Sequence, residues 1–321
     1  MKVLLRNSLL CKDNSLIWLV IGSEERCLAS LSIFLEVGYR DFSLLLYEPL
    51  TAQAKRHLAD AKSLILSAGG TNTTHQLNED DPERSIKKFD IRRVEILSKI
   101  KDRGLFLDIS VLNKLNLVVL MRWFDMFQIW DYVDLVYTEA KNYLVSDTRP
   151  MSTGIKSIYP FPGFPSVHNL GRPIHLTLIL GLEANRAWGA YSHSQPSRTT
   201  LLLPEKFHQD WGKKTEKANK DLISLIGNKQ IVSAIDPELV SQTLESVIGL
   251  INLRSEHINY ICPLGTKPET VGVFMYHRKC LDPPLLLYVH PAHRLYERSV
   301  EGIGQTWLIK GRTIDATSHQ D

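Results

Sequence analysis

Short, nearly unbroken apolar runs recur along the chain, at residues 16–21, 42–47, 105–109, 133–138, 174–180, 199–203, 258–262 and 285–289. A run without polar alternation implies burial on both faces, as in a parallel sheet covered by helices. Between the runs the apolar positions switch to helical spacing. Residues 24–36 follow Ser23, which reads as an N-cap, with Glu24 and Glu25 set at the positive end of the helix dipole. Residues 51–67 and 84–101 are amphipathic, and 112–129 is more apolar and reads as a helix covering a sheet. Residues 206–227, 237–255 and the stretch opened by Pro268 complete the helical set. This alternation predicts an α/β fold with mostly parallel sheets flanked by helices.

The pattern is written twice. Gly22 and Gly181, Pro49 and Pro204, Asp108 and Cys262, and Tyr137 and Tyr288 follow one another in the same order, with offsets between 151 and 159 residues. The expected organisation is two tandem Rossmann-like units related by internal duplication, each with its own ligand-facing loops and sharing one site across a pseudo-twofold. The first unit is assigned to residues 1–149 and the second to 174–312. Between them Pro150, Pro160, Pro162, Pro165 and Pro173 crowd together with Gly154, Gly163 and Gly171, so 150–173 reads as a linker. Its Tyr159, Phe161 and Phe164 imply that it packs against a domain. Residues 68–83 read as a polar, mobile segment and 313–321 as a frayed tail.

Composition narrows the class. A length of 321 residues fits two domains, and 44% hydrophobic with 23% charged residues is ordinary for a soluble globular protein. No apolar run approaches the roughly 18–20 residues that cross a bilayer, so no membrane partner is expected. The N-terminus shows no secretory signal. Cys11, Cys27, Cys262 and Cys280 have no framework spacing, which fits a reducing cytoplasm. A net charge of +3 permits an anionic ligand without demanding nucleic acid.

In open α/β sheets, ligands gather at the carboxyl ends of the strands, so the residues after each run carry the candidate chemistry. The sharpest loop is Cys262-Pro-Leu-Gly265-Thr266-Lys267-Pro268-Glu269, a tight turn into a Thr-x-x-Glu capping box with a lysine beside it. It reads either as a phosphate site at a helix N-terminus or as an ordinary capped helix. In the first copy, Asp108 and Ser110 offer an acceptor and a hydroxyl, or make turn hydrogen bonds only. The first-strand loops pair Gly22 with Arg26, and Gly181 with Glu183 and Arg186. They suit phosphate contacts, with intrahelical Glu–Arg pairing as the plainer account. In the fourth-strand loop, His290 sits between Tyr288 and the cation Arg294 and could help hold a base and its phosphate. His290 and His293 lack a third ligand, so no metal is expected, and no cofactor motif appears. A Walker loop, a Gly-x-Ser-x-Gly elbow and a dinucleotide fingerprint are absent; Gly302-Ile-Gly304 lacks the third glycine and does not lead from a strand into a helix. Lysines 213, 214, 217 and 220 read as a solvated helix face.

The Gly265-Thr266-Lys267 loop resembles the Gly-Thr-Lys motif of CARF domains, the CRISPR-associated Rossmann folds. The Asp108-Ile-Ser110 strand end is similar to the Asp-Ile-Thr of the same group. A tandem of two such units resembles SAVED domains, fused CARF pseudo-dimers. The resemblance covers the strand-end loops and implies binding of a nucleotide or cyclic oligonucleotide by a bacterial antiphage-defence protein. It departs from the family pattern in having no segment long enough for a separate effector, and in carrying Cys262 where the first copy has Asp108. The implied partners are therefore a separately encoded effector or a defence complex, with homo-oligomerisation open. The alternatives are a metal-independent phosphodiesterase of the ring-nuclease kind, with Ser110 and Lys267 as catalytic candidates, or a nucleic-acid-binding scaffold.

Overall fold

The computed structural model describes residues 14–145, 150–164, 171–205, 211–233, 235–252, 256–295 and 300–311. The expected tail, 313–321, lies outside the described residues. Two compact units result, the first from Met1–Leu144 with Tyr296–Asp321 and the second from Val145–Leu295.

In the first unit, β1 (Leu16–Ile21) leads through a 3₁₀ turn (Glu25–Leu28) into α1 (Ala29–Val37), then β2 (Asp41–Tyr47), α2 (Ala52–Ser67) and β3 (Thr71–Leu77). Next come α3 (Pro82–Ile91), α4 (Arg93–Arg103), β4 (Leu105–Asp108), α5 (Lys114–Met126) and β5 (Val133–Tyr143). The second unit contains β6 (Ser152–Pro160), β7 (Ile174–Ile179), α6 (Ala184–Ser194), β8 (Arg198–Pro204), α7 (Trp211–Ala218), α8 (Lys220–Ile226) and β9 (Lys229–Val232). It ends with α9 (Pro237–Asn252), β10 (Ile258–Pro263), α10 (Lys267–Lys279) and β11 (Leu285–Arg294), after which β12 (Val300–Lys310) returns to the first sheet.

The sheets run β12-β5-β4-β1-β2-β3 and β6-β11-β10-β7-β8-β9. Within each, the five central and far strands are parallel and the strand at one edge is antiparallel. The strand order is the same in both, and β4 and β10 hold corresponding places, in keeping with the nearly equal anchor offsets. The continuous apolar runs are explained by double-sided burial. Ile17, Leu19 and Ile21 enter a core with Phe34, Phe42 and Phe106. On the opposite face Trp18 stacks on Phe89 of α3, ring centroids 5.1 Å apart, and leans on Phe124 of α5. In the second sheet Leu176, Leu178 and Leu180 pack with Leu201, Cys262 and Leu287.

Three expectations change. Residues 150–173 are not simply a linker: Ser152–Pro160 form β6, paired antiparallel with β11, and Phe161 and Phe164 are buried as their aromatic character implied. Prolines are tolerated there because β6 is an edge strand, where a missing N–H breaks no ladder on the open side. Residues 300–310 do not join the second unit but pair with β5 in the first. The polar stretch 68–83 contains β3, whose mostly exposed side chains reflect its position at the sheet edge. The edge strand β9 was hidden for the same reason.

Candidate functional site

Each first-strand loop builds the same device. Arg26 pairs with Glu24 (2.6 Å), donates from Nη1 to the Thr138 carbonyl (3.1 Å), and lies 6.0 Å from the Tyr137 ring centre. Arg186 pairs with Glu183 (2.6 Å), donates from Nε and Nη2 to the Val289 carbonyl (3.1 and 2.7 Å), and lies 5.9 Å from the Tyr288 ring. Both guanidinium groups are buried. Burial pulls Arg26 toward neutrality, but Glu24, Tyr143 and Tyr137 together outweigh it and the net shift is upward, so the charge is held. These pairs tie the loop after the first strand of each unit to β5 and to β11 respectively. Arg26, Glu183 and Arg186 are thus engaged by the protein itself, the plainer of the two readings of their sequence. Ser23 caps no helix; its hydroxyl lies 3.3 Å from that of Thr51, and the first turn has no side-chain cap.

Asp108 and Ser110 are also enclosed. The Asp108 carboxylate accepts from the Ser30 hydroxyl and from the Ser110 amide (2.7 Å), while Ser110 Oγ accepts from the Thr138 amide (2.8 Å). Burial raises the carboxyl above its ordinary range, against the lowering effect of those hydrogen bonds and Arg26. With Ser110 fully buried, its hydroxyl faces no space in which a ligand could be attacked. Beside this network Gly22 accepts from His57 Nδ1 (2.7 Å), and His57 Nε2 meets Gln53 Nε2 (2.7 Å). That tautomer leaves Nδ1 no lone pair for the neighbouring Cys27 thiol, which burial pushes up to about 12. The Cys–His contact is not a nucleophilic pair.

The Gly265-Thr266-Lys267 loop folds as read. Thr266 and Glu269 form a full capping box at the start of α10. The Thr266 amide donates to the Glu269 carboxylate, so the protein's own anion sits at the helix N-terminus. Gly265 is required by that approach, since a Cβ there would come 2.1 Å from Glu269 Oε2. Gly181 is required by another, its Cβ position lying 2.2 Å from the Leu264 carbonyl. Lys267 is half-buried at the first helical position.

His290 is buried, with Tyr159 Oη 3.2 Å from its Nδ1, whereas His293 is exposed. No group of three or more His, Cys, Asp or Glu side chains suited to a metal occurs among the described residues.

Open space lies elsewhere. A cleft of about 530 Å³ at the carboxyl ends of β1 and β2 is lined by Ser23, Glu24, Arg26, Thr51, Gln53, Arg56, Glu301 and Gly302, among others. Thr51 caps α2, its hydroxyl accepting from the Ala54 amide (3.1 Å), and Arg56 donates to Gln53. Arg26 is paired with Glu24, and Arg56, Glu25 and Glu301 also line the cleft, so it is polar with mixed charge. A second cleft, of about 420 Å³, is lined by Glu48, Thr74, His75, Gln76, Lys88 and Phe89. There Glu48, Gln76 and Lys88 form a hydrogen-bonded chain, and burial followed by Arg92 lowers the His75 pKa. Of the residues read from the sequence as ligand contacts, Arg26 alone lines one of these two clefts. The second-strand loop was the missed signal: Thr51 follows β2 as Ser23 follows β1.

No helix among the described residues is long and apolar enough to cross a membrane. No family model matches the chain, and no curated protein matches it. Among solved structures it is similar to a Type III CRISPR defence DNA nuclease activated by cyclic oligoadenylate, at 10% identity and a TM-score of 0.53, over 85% of this chain and 65% of the nuclease. It aligns far less well with a periplasmic ribose ABC transporter of Conexibacter woesei (TM-score 0.23, 11% identity, 74% of this chain and 67% of that one). The same holds for O-ureido-L-serine synthase (TM-score 0.20, 12% identity, 84% and 81%). The chain spans 65% of the nuclease's length and shares with it an α/β fold.

Proposed function

We propose that this protein binds a cyclic oligonucleotide at its strand-end loops and acts as a nucleotide-sensing component of antiviral defence. The observation that carries the reading is the fold shared over 85% of the chain with a nuclease activated by cyclic oligoadenylate. The two sheets of identical order support it further, as the product of an internal duplication that would give each half a set of ligand-facing loops. In the first unit the polar cleft beside Thr51, Gln53 and Arg56 is the candidate nucleotide pocket; in the second, taken by itself, Lys267 is the candidate phosphate contact. Asp108, Ser110, Arg26, Glu183, Arg186 and His290 hold the loops in place from below, with Gly22, Gly265 and Thr266 shaping the turns. An effector encoded separately would read the bound state.

Titration calorimetry of the full chain with cyclic oligoadenylates, and with linear oligoadenylate as control, tests the reading. Lys267→Ala is expected to lose one charge-assisted contact, roughly 1.5–3 kcal/mol or about 10–150-fold in affinity, with an unchanged melting curve. Equal affinity in the variant removes Lys267 from the site; absence of binding by the wild type overturns the reading. Chromatography of the ligand after incubation, with and without EDTA, follows its fate. Ser110 is enclosed and unavailable as a nucleophile, so recovery of intact ligand is expected, and rapid EDTA-sensitive cleavage would overturn the sensing role.

A further inference from the structure

Four strands form the edges of the two sheets, and three of them carry features that keep such edges apart. β6 holds Gly154 at a positive φ and Lys156, ends on Pro160, and slips register against β11 between His290 and Pro291. β9 is four residues long and opens on the exposed Lys229. β12 has Gly302 at a positive φ and an irregular register between Ile303 and Thr306. β3 has none of these devices. Its seven residues, Thr71-Asn-Thr-Thr-His-Gln-Leu77, include no proline, glycine, lysine, arginine or carboxylate. They pair with β2 without a break, from Asp41 opposite Thr71 to Tyr47 opposite Leu77.

The direction of its backbone groups follows from one bond. The Thr71 amide donates to the Arg40 carbonyl (2.7 Å), on the β2 side. Backbone groups of successive residues point to opposite sides of a strand, so Thr73, His75 and Leu77 also face β2. Asn72, Thr74 and Gln76 turn their N–H and C=O groups outward, and β2 is the one strand paired with β3 among the described residues. We propose that β3 pairs antiparallel with β3 of a second copy of this chain, about a twofold axis at Thr74. In that register the outward residues meet only one another, Thr74 with Thr74 and Asn72 with Gln76, each pair exchanging both backbone hydrogen bonds. Thr73 then lies opposite His75, and no two like charges of the strand oppose each other. The cleft of about 420 Å³ lined by Thr74, His75, Gln76, Lys88 and Phe89 leaves room beside the strand for the copy's side chains. Lys88 reaches Gln76 Oε1 (3.0 Å) at one end of β3, where the twofold sets it by the second copy's Asn72 and away from that copy's lysine. The pairing is independent of ligand binding at the strand ends.

Sedimentation velocity of the full chain over a range of concentrations tests the proposal, and a dimer is expected. Thr74→Pro removes an outward amide but no bond to β2, so it is expected to abolish the dimer and keep the wild-type melting curve. Thr74→Lys sets two cations opposite each other, and its dimer is expected to be lost at low salt and to recover as salt rises. Under mild oxidation Thr74→Cys is expected to give a covalent dimer, because hydrogen-bonded antiparallel pairs bring Cα atoms to about 5.5 Å, within disulfide reach. Asn72→Cys, whose own copy lies farther along the strand, and the wild type are expected to give none. A monomer at every concentration, a dimer that survives both Thr74→Pro and Thr74→Lys, or equal cross-linking at Asn72→Cys would overturn the proposal. Slow hydrogen exchange of the Asn72, Thr74 and Gln76 amides in a monomer would overturn it too, by giving the edge to another segment.

Discussion

At the scale of single residues, buried polar side chains in this protein are matched to partners that hold one protonation state. His175 shows it most clearly. It is fully enclosed in β7, with Nε2 2.9 Å from the Thr200 hydroxyl and Nδ1 3.3 Å from Asn259 Oδ1. An amide oxygen can only accept, so Nδ1 carries the proton and Nε2 accepts from Thr200. Burial lowers the folded pKa from 6.5 to about 4, which the Asn259 contact only partly offsets. The unfolded chain therefore binds the proton first as pH falls. Stability is fully present above pH 6.5 and drains away between 6.5 and about 4, by on the order of 2–3 kcal/mol from this residue. Urea denaturation at a series of pH values should show this slope. His175→Gln should be less stable at neutral pH but flatter across that window; parallel curves would assign the slope to other groups. The arginine pairs belong to the same scale. Arg26→Ala should leave Glu24 poorly compensated and cost roughly 3–5 kcal/mol, far more than the loss of an exposed pair such as Arg92–Glu95. Thermal melting of the two alanine variants compares them directly.

At the scale of elements, equivalent positions in the two units have diverged. Gly22 and Gly181 both end a first strand, yet a Cβ at Gly22 would meet Val111 at an ordinary 3.4 Å, and one at Gly181 would come 2.2 Å from the backbone carbonyl of Leu264. Gly181→Ala should therefore force the loop before α10 to move, costing about 1–3 kcal/mol, while Gly22→Ala should be nearly neutral. Melting curves that shift equally would contradict this. In the second unit the Leu264 backbone thus closes over Gly181 at the ends of the neighbouring parallel strands β7 and β10, a place where α/β sheets commonly take ligands. The central helices α5 and α10, by contrast, stay alike, each with nine described buried residues along its length. The helical and strand periodicities made most of these elements legible. The exceptions were β3, β6, β9 and β12, the edge strands, each paired on one side only.

At the scale of the whole molecule, the chain order and the sheet order cross. The strand that follows β5, namely β6, pairs in the second sheet, and the strand that follows β11, namely β12, pairs in the first. The last described strand thus belongs to the first core: Leu308 packs against it, Thr306 Oγ1 lies 2.9 Å from Thr138 Oγ1, and the Gly311 amide donates to Asp134 (3.1 Å). Truncation after residue 299 should then weaken the N-terminal unit, stripping hydrogen-exchange protection from residues 133–143 while sparing 285–294. Loss of protection confined to the second unit would contradict the exchange.

The sequence by itself determined the α/β class, the eight buried strands and the repeated order of anchors, because double-sided burial leaves a continuous apolar signature that needs no partner to be read. It also determined the capping box at Thr266 and Glu269, a contact between neighbours in sequence. Which residues face open space was decided by the tertiary structure. Arg26, Asp108, Ser110 and His290 each hydrogen-bond to a group distant in sequence, a partner their own positions do not announce. Thr138 lies 112 residues from Arg26, and Tyr159 lies 131 from His290. The exchange of β6 and β12 was likewise invisible, since an edge strand carries the same pattern whichever sheet it joins, and only the packing of Leu308 and its neighbours selects one.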